Sequence, residues 1–307
     1  AFRAIGGIKL SALVMTLLSV LKLIVDPLLF FGIGPFTDLG VAGAALATLI
    51  DCTVGWLCSI SVLGFREKLL QFTRPKLSHL LPNWHELFKI AVPSVAANIM
   101  TPLAASILTA MIARFGLEAV AGFGVGARIE FFSLMVVFAL SSTLPMFIGQ
   151  NLGAGKPERV YLAMMGCLKF SLLFQAGVYV LLLLAAPSIA AAFSGNPEVN
   201  RVIRLFLMIL PLTYGAHAVV ILVMVSLNVL RRPRTALVTT SVRLLGLYLP
   251  LAYLGSVWWG VTGIFVGAAT GNIIAGVVAY GIIKRVLAAQ GISANATVNL
   301  DAETRLK

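Results

Sequence analysis

The sequence predicts an all-α polytopic membrane protein with eight transmembrane helices. Three observations lead to this class. The chain of 307 residues is 60% hydrophobic and only 11% charged, whereas an ordinary soluble domain carries about 25% charged residues. Its apolar residues form eight long runs. Its basic residues cluster in every second connection between those runs, which would place them on one side of a membrane. So few charges cannot cover a soluble core, but a bilayer accepts an apolar surface.

Eight apolar runs are long enough to cross a bilayer, which takes about 20 residues of α-helix. We name them runs a to h, in the order 9–31, 41–63, 86–113, 118–148, 158–186, 197–229, 233–256 and 260–286. Pro157, Pro197 and Pro233 each fall in the first turn of a run, where the missing backbone N–H is tolerated. Pro93 and Pro102 lie inside run c and predict a kink or a break there.

The distribution of basic residues predicts the orientation. Sixteen lysines and arginines flank one side of the predicted helices, and only Arg114, Arg201 and Arg204 flank the other. The positive-inside rule therefore places the 64–85 connection and the C-terminus in the cytoplasm, and Trp258 at the outer interface. The net charge of +12 is interpreted as contact with the cytoplasm and with lipid headgroups. Aromatic residues do not alternate with these charges as they do in single-strand nucleic-acid binding sites.

The pattern divides the chain into four parts. Residues 1–63 contain runs a and b, and the basic, proline-bearing stretch 64–85 is a predicted cytoplasmic linker. Residues 86–289 contain runs c to h as a complete six-helix bundle. The polar tail 290–307 lacks aromatic residues and is predicted to be disordered.

Runs a and b resemble runs g and h. Lys22 and Arg243 occupy similar places in the two pairs, as do Pro27 and Pro250, and the second run of each pair opens on G-V-x-G. Internal repeats of this kind are common in secondary transporters. Because six helices follow the linker, runs a and b are predicted to be the last two helices of an N-terminal six-helix bundle. The full protein would then have twelve helices.

Glu130 is the first candidate for coupling to a cation, because charged residues inside a bilayer are costly and are functional hypotheses by default. It lies twelve residues into run d, about 18 Å deep at the helical rise. A carboxylate at this depth can bind a cation or take up a proton. The alternative role is a structural ion pair with Arg243, Lys169 or Lys22.

Asp51 and Asp26 are the other two cation-coupling candidates. Asp51 lies about ten residues into run b, near mid-depth. Asp26 follows Lys22 by four residues on the same helical face, so a local ion pair beside Pro27 is its alternative role. Lys22 and Arg243 are candidates for the substrate cavity or for gating, because they occupy matching places in the repeat.

Asn98 is a further substrate-cavity candidate, since it lies between Pro93 and Pro102. A break between these prolines would free carbonyl groups to coordinate an ion or a ligand, although Asn98 could equally satisfy another helix. His217 in run f is typical of a buried histidine whose hydrogen bonds are satisfied.

The sequence contains none of the common catalytic or nucleotide-binding motifs. It has no phosphate-binding loop, no serine nucleophile elbow and no zinc-protease signature. Cys52, Cys58 and Cys167 have no metal-binding spacing. We therefore predict no catalytic residues, no metal site, no enzyme activity and no cofactor other than a transported proton or sodium ion.

Four segments resemble the multidrug and toxic compound extrusion (MATE) transporters. They are F-R-A-I-G-G at 2–7 with V-D-P-L-L-F-F-G-I-G at 25–34, L-G-V-A-G-A-A-L-A-T at 39–48, G-Q-N-L-G-A-G-K-P-E-R at 149–159, and S-L-N-V-L-R-R-P at 226–233. The resemblance covers the C-terminal two-thirds of a family member. It implies an antiporter driven by protons or sodium ions that exports drugs or toxic amphipathic, often cationic, compounds by alternating access. We expect a monomer in the inner (plasma) membrane, in contact with lipid and with no nucleic-acid partner.

The branch within the family is predicted from two positions. One branch has an acidic residue in the helix that matches run c. This chain has Thr101 at that place, and we take Thr101 as a substrate-cavity candidate. G-A-R-I-E at 126–130 is similar to the DNA-damage-inducible F-like branch. That branch implies proton coupling through an aspartate of the first helix, which does not match any part of this chain. The alternatives are a flippase for lipid-linked precursors or polysaccharides, with a more cationic cavity, and an intramembrane enzyme.

Overall fold

A computed structural model describes residues 8–32, 39–61, 64 and 77–292, in which every regular element is helical. The α-helices are α1 Ile8–Phe30, α2 Gly40–Ser61, α3 Leu77–Ala113, α4 Leu117–Ser133, α5 Met135–Gly153, α6 Pro157–Phe193, α7 Pro197–Ile209, α8 Tyr214–Val229, α9 Pro233–Ser241 and α10 Leu249–Ala289. A 3₁₀ turn, Leu210–Thr213, joins α7 to α8. A π-helical segment, Val242–Tyr248, joins α9 to α10. The predicted all-α class is confirmed.

Seven helical stretches of the described residues are long and apolar enough to cross a membrane. The last of them, Pro233–Ala289, includes the two residues Trp259 and Gly260, whose backbone angles are not helical. The chain reverses direction there, so this stretch accounts for both run g and run h. Counting it as two helices reconciles the seven stretches with the eight predicted spans.

The reversal of α10 is visible in its glycine contacts. A Cβ atom on Gly255 would collide with the carbonyl oxygen of Gly263, and one on Gly267 would collide with the carbonyl oxygen of Leu251. Moving along one arm towards the reversal matches moving along the other arm towards it, as two antiparallel helices require. Backbones can approach this closely only where side chains are absent, as in the small-residue packing of membrane helices.

Two of the predicted runs, d and f, are interrupted in the structure, whereas run c is not broken at its prolines. Run d bends at Leu134, between α4 and α5. Run f changes to a 3₁₀ turn at Leu210–Thr213, which contains Pro211. In contrast, α3 continues past Pro93 and Pro102. Of the kink or break predicted around Asn98, the break is therefore wrong, and the kink stays a prediction.

The chain divides into two compact units, 1–80 and 81–307. The boundary lies inside the predicted linker 64–85, and α3 begins at Leu77, also within that linker. The first unit is a hairpin of α1 and α2, in which Gly43 packs directly against the carbonyl group of Leu29. Most of the predicted disordered tail, 293–307, and the segment 2–7 lie outside the described residues.

The core of the second unit is centred on α7, α8 and the second arm of α10. Phe206 of α7 contacts Phe123 of α4 and Phe265 of α10, with ring centroids 5.9 Å and 5.5 Å apart. Many apolar side chains outside this core are exposed, including Leu173 and Leu184 of α6. An exposed apolar face of this kind suits contact with lipid, which needs no polar covering.

Candidate functional site: a buried polar cluster

The second unit places polar side chains of α4, α8, the π-helical segment and α10 together inside the helical bundle. The closest contact between ionisable side chains there joins Oε1 of Glu130 to Nδ1 of His217, at 3.4 Å. Their side chains are 27% and 16% exposed, respectively. The pair is therefore largely enclosed by protein while still being reachable. We call Glu130, Tyr214, His217, Arg243, Tyr248 and Asn272 the polar cluster.

Glu130 reaches this position because α4 packs unusually close to α7. Gly122 and Gly126 precede Glu130 by eight and four residues, so all three lie on one helical face. A Cβ on Gly122 would lie 2.7 Å from the side chain of Val202, and one on Gly126 would overlap the ring of Phe206. The two glycines thus let α4 press its face against α7, and Glu130 continues that face towards His217.

The 3₁₀ turn between α7 and α8 sets the direction of the next two members. Pro211 has no backbone N–H to donate, which favours a local change of helical geometry. Tyr214 and His217 follow within one turn of α8 and share a face. The hydroxyl group of Tyr214 is buried and has no hydrogen-bond partner among the described residues.

Arg243 and Asn272 form the second contact of the polar cluster. Nη2 of Arg243 donates a hydrogen bond to Oδ1 of Asn272 at 3.2 Å, and both residues are buried. Arg243 lies in the π-helical segment, a wide helical turn that is often found at functional sites. Its Nε atom is also buried, with no partner in the described part of the chain.

The members of the polar cluster are close enough to interact electrostatically. Glu130 interacts in this way with Arg243, Tyr214 and Tyr248. Arg243 nevertheless makes no ion pair with Glu130 within the described residues, and neither does Lys169. The structural ion pair that the sequence offered for Glu130 is therefore replaced by the contact with His217. The carboxylate of Glu130 and the imidazole of His217 can each take up and release a proton. The guanidinium group of Arg243 stays protonated and adds a fixed positive charge to the polar cluster.

The first unit places Lys22, Asp26 and Asp51 in its helical hairpin. Nζ of Lys22 donates a hydrogen bond to Oγ1 of Thr48 at 3.1 Å. It makes no ion pair with Asp26, so the predicted local ion pair is wrong. Asp26 and Asp51 each have a buried Oδ1 atom without a hydrogen-bond partner among the described residues. The hairpin therefore holds two carboxylates and one ammonium group within the bilayer-spanning segments.

The two hairpins use their matching cations in the same way. Lys22 of α1 bonds to Thr48 of the antiparallel α2, and Arg243 bonds to Asn272 of the antiparallel second arm of α10. In both cases a cation on the first helix is held by a polar oxygen on the second. This shared arrangement supports the internal repeat that the sequence predicts.

Asn98 and Thr101 do not join the polar cluster. Both are exposed on α3, whose inward-facing residues Met100 and Ala104 pack beside Tyr248. Sequence reasoning also missed Tyr214 and Asn272, and it treated His217 as a structural residue. Pro211 is the signal that could have identified Tyr214 and His217, because a proline inside a predicted span marks irregular backbone at membrane depth.

A model of the MatE family matches residues 93–254 of the chain. These residues include Glu130, Tyr214, His217, Arg243 and Tyr248, and they omit Asn272. The family match therefore covers most of the polar cluster and does not depend on the first unit.

Two curated relatives and one solved structure extend the comparison. The chain is 39% identical to the FAD transporter of Shewanella oneidensis over 92% of its own length and 63% of the relative's length. It is 24% identical to the probable multidrug resistance protein NorM of Thermotoga maritima, over 66% of the chain and 44% of the relative. The crystal structure of the Vibrio cholerae MATE transporter VcmN in the bent form matches with a TM-score of 0.83 and 32% identity. This match covers 94% of the chain and 65% of that protein.

The chain thus spans less than two thirds of the length of each of these proteins. The fold of the chain is thus similar to that of a solved MATE transporter.

Proposed function

The chain belongs to the MatE family of efflux transporters, and from this membership we propose that it forms part of a cation-coupled antiporter. The transporter would export small molecules by alternating access. The multi-pass membrane character of the chain agrees with this activity, since seven helical stretches of the described residues are long and apolar enough to cross a membrane. We further propose the inner membrane as its location, with the C-terminus in the cytoplasm, on the basis of the basic clusters.

The observation that carries the proposal is the enclosed pair of Glu130 and His217. A coupling site must bind its cation inside the membrane and must remain reachable from one side at a time. An ionisable group inside the membrane is expensive and is therefore expected to have a function. Glu130 is a candidate for this role, because its side chain is only 27% exposed and lies 3.4 Å from His217, a second titratable group.

We propose the proton as the coupling ion. Sodium, like other hard cations, is bound by several oxygen ligands. The group in contact with Glu130 is instead the imidazole of His217. The guanidinium group of Arg243 and the phenol groups of Tyr214 and Tyr248 interact with Glu130 electrostatically. A guanidinium group repels a metal cation and has no acceptor atom. A proton can be carried by the carboxylate or the imidazole without any further ligand.

Amphipathic drugs are the first proposed substrates. The relative named for multidrug resistance and the predicted family properties support this class. The half-buried carboxylates of Asp26 and Asp51 in the first unit would complement cationic drugs.

FAD or a similar anionic dinucleotide is the second proposed substrate class. The specific observation in its favour is the relative named as an FAD transporter, which is 39% identical over 92% of the chain. Each unit also holds one of the two cations that match in the repeat, Lys22 or Arg243, on a membrane-spanning helix. An arginine can bind phosphate through two parallel hydrogen bonds, and a lysine can bind it as a point charge.

The test is transport by the full-length protein in proteoliposomes under separate proton and sodium gradients, with FAD and the cationic dye ethidium as probes. We expect the proton gradient alone to drive at least one probe. Movement of FAD without ethidium would assign the dinucleotide class, and the reverse would assign the drug class. Failure of both gradients to drive either probe would remove the antiporter proposal, and a response to sodium alone would remove the proton.

A further inference from the structure

An apolar groove on the second unit lies between α6, α8 and α10, away from the polar cluster. It has a volume of about 300 Å³, and its apolar walls include Leu168, Leu172, Val219 and Val277. Lys169 and Tyr280 are its only polar lining residues. Leu172 and Val277 are 46% and 68% exposed, so the groove is open along its length. A lysine among these apolar side chains is the feature that requires an explanation.

Lys169 immediately precedes a long uncharged stretch of α6. Residues 170–193, which follow it in α6, carry no charged side chain and extend for about 36 Å at 1.5 Å per residue. In α10, residues 261–283 are likewise uncharged, and Lys284 is the first charge after them. Both lysines thus mark the end of a stretch long enough to cross the hydrocarbon core, on the side where the positive-inside rule places the cytoplasm.

Tyr280 connects the two lysines at this level. It lines the groove with Lys169, and Nζ of Lys284 lies 4.7 Å from the centroid of its ring. A tyrosine at this depth is typical of the membrane interface, where its ring is apolar and its hydroxyl group is hydrated. The mouth of the groove therefore presents two ammonium groups and a phenol.

The described residues include no carboxylate in an ion pair with Lys169 or Lys284. An anionic group from outside the described chain would complement these ammonium groups. Basic pockets between transmembrane helices on the cytoplasmic side are known to bind phospholipid headgroups.

The inner part of the groove fits an acyl chain. Leu172 of α6 and Val277 of α10 lie about one turn deeper in the membrane than Lys169 and Tyr280, respectively. The floor is formed where Gly276 packs against Ala216, because a Cβ on Gly276 would lie only 2.7 Å from that of Ala216. The absence of larger side chains at this contact leaves an apolar channel that begins at the headgroup level and continues towards the bilayer centre.

We infer that this groove binds one anionic phospholipid of the cytoplasmic leaflet. The phosphate of the headgroup lies at Lys169, with Lys284 and Tyr280 beside it, and one acyl chain occupies the apolar groove. Such a lipid would join α6 to α10 on the outside of the bundle, so its binding would stabilise the folded transporter.

The test is native mass spectrometry of the purified full-length protein, titrated with phosphatidylglycerol or with phosphatidylethanolamine. We expect the first phosphatidylglycerol to bind more tightly than phosphatidylethanolamine. Lys169→Gln should weaken its binding by about fivefold, the effect of one lysine near a membrane surface, whereas Lys169→Arg should keep it. Lys156→Ala is the matched control, because Lys156 precedes the same helix and does not line the groove.

A second variant tests the apolar part of the site. Val277→Trp leaves every charge in place but fills the groove, and it should reduce phosphatidylglycerol binding as well. Equal binding of the two lipids by the wild-type protein would overturn the inference. The same conclusion would follow if Lys169→Gln bound phosphatidylglycerol as the wild type does. The melting temperature of each variant without added lipid establishes that loss of binding is not loss of folding.

Discussion

The Oε1 atom of Glu130 lies 3.4 Å from the Nδ1 atom of His217, so a carboxylate of α4 and an imidazole of α8 share one largely enclosed place. A proton added to either group changes the charge of the pair, and the pair lies inside the membrane-spanning bundle. This relationship makes the contact between α4 and α8 sensitive to protonation. It also singles out Glu130 as the residue whose loss should uncouple transport.

Replacing Glu130 by glutamine should abolish proton-driven transport while the protein still folds. Glutamine keeps the shape and the hydrogen-bonding capacity of the side chain but cannot take up a proton. We expect the rate of FAD or ethidium movement in proteoliposomes to fall at least about tenfold, equivalent to ~1.4 kcal/mol. Glu118→Gln is the control, since Glu118 is an exposed carboxylate at the start of the same helix. Unchanged transport by Glu130→Gln would exclude this carboxylate from coupling.

The hydrogen bond between Arg243 and Asn272 should contribute measurably to stability. Arg243→Gln and Asn272→Ala should each lower the melting temperature, because each leaves a buried polar partner unsatisfied. A double-mutant cycle should give a coupling energy between about 0.6 and about 1.7 kcal/mol, the range for polar contacts between membrane helices. A cycle of Arg243→Gln with Thr270→Ala serves as the control, since Thr270 bonds only within its own helix, to Val266. Additive effects of the Arg243 and Asn272 changes would contradict the contact.

The two antiparallel arms of α10 should tolerate no large side chain at Gly255, where their backbones are in contact. Gly255→Leu would drive a side chain into the backbone of Gly263, and overpacking of this kind costs about 1–3 kcal/mol. We expect a lower melting temperature and a loss of monodisperse protein in size-exclusion chromatography. Gly281→Ala is the matched control, because no atom lies within 4 Å of the added Cβ. It should be neutral or stabilising, since alanine is the better helix former. A Gly255→Leu variant as stable as the wild type would mean that the two arms are not packed at this point.

The orientation predicted from the basic residues can be measured by cysteine labelling. In a background with Cys52, Cys58 and Cys167 changed to alanine, a single cysteine is introduced at Arg232 or at Glu198. Both positions are exposed. A membrane-impermeant maleimide applied to whole cells should label Glu198→Cys and should label Arg232→Cys only after the cells are opened. The reverse result would invert the topology.

The sequence was sufficient for the fold class and for most helix limits. Runs a, b, f and g begin within one residue of the observed helices, because the length of an apolar run and the need to cross the bilayer are both local properties. The sequence also singled out Glu130 and Arg243, since a charge inside an apolar run is visible without any neighbour. The break predicted from Pro93 and Pro102 does not occur in α3. A helix can pass a proline when surrounding groups satisfy the freed carbonyls.

The partners of these charges were not predictable in the same way. Lys169 and Arg243 were offered as partners of Glu130, but the structure places His217 beside it. Arg243 is instead held by Asn272, which no pattern had marked. A residue's partner on another helix depends on the rotation and separation of both helices, and neither quantity is written in the spacing of one run.

The sequence by itself therefore determined that this protein is a bundle of membrane-spanning helices with a few costly charges inside them, because hydrophobicity and helical rise act along a single chain. Only the tertiary structure decided which of those charges meet. Gly122 and Gly126 bring α4 against α7, and the π-helical segment carries Arg243 into the interior opposite Asn272. The physical reason is that packing between helices is set by the fit of two surfaces, and a one-residue change in either register brings different side chains into contact.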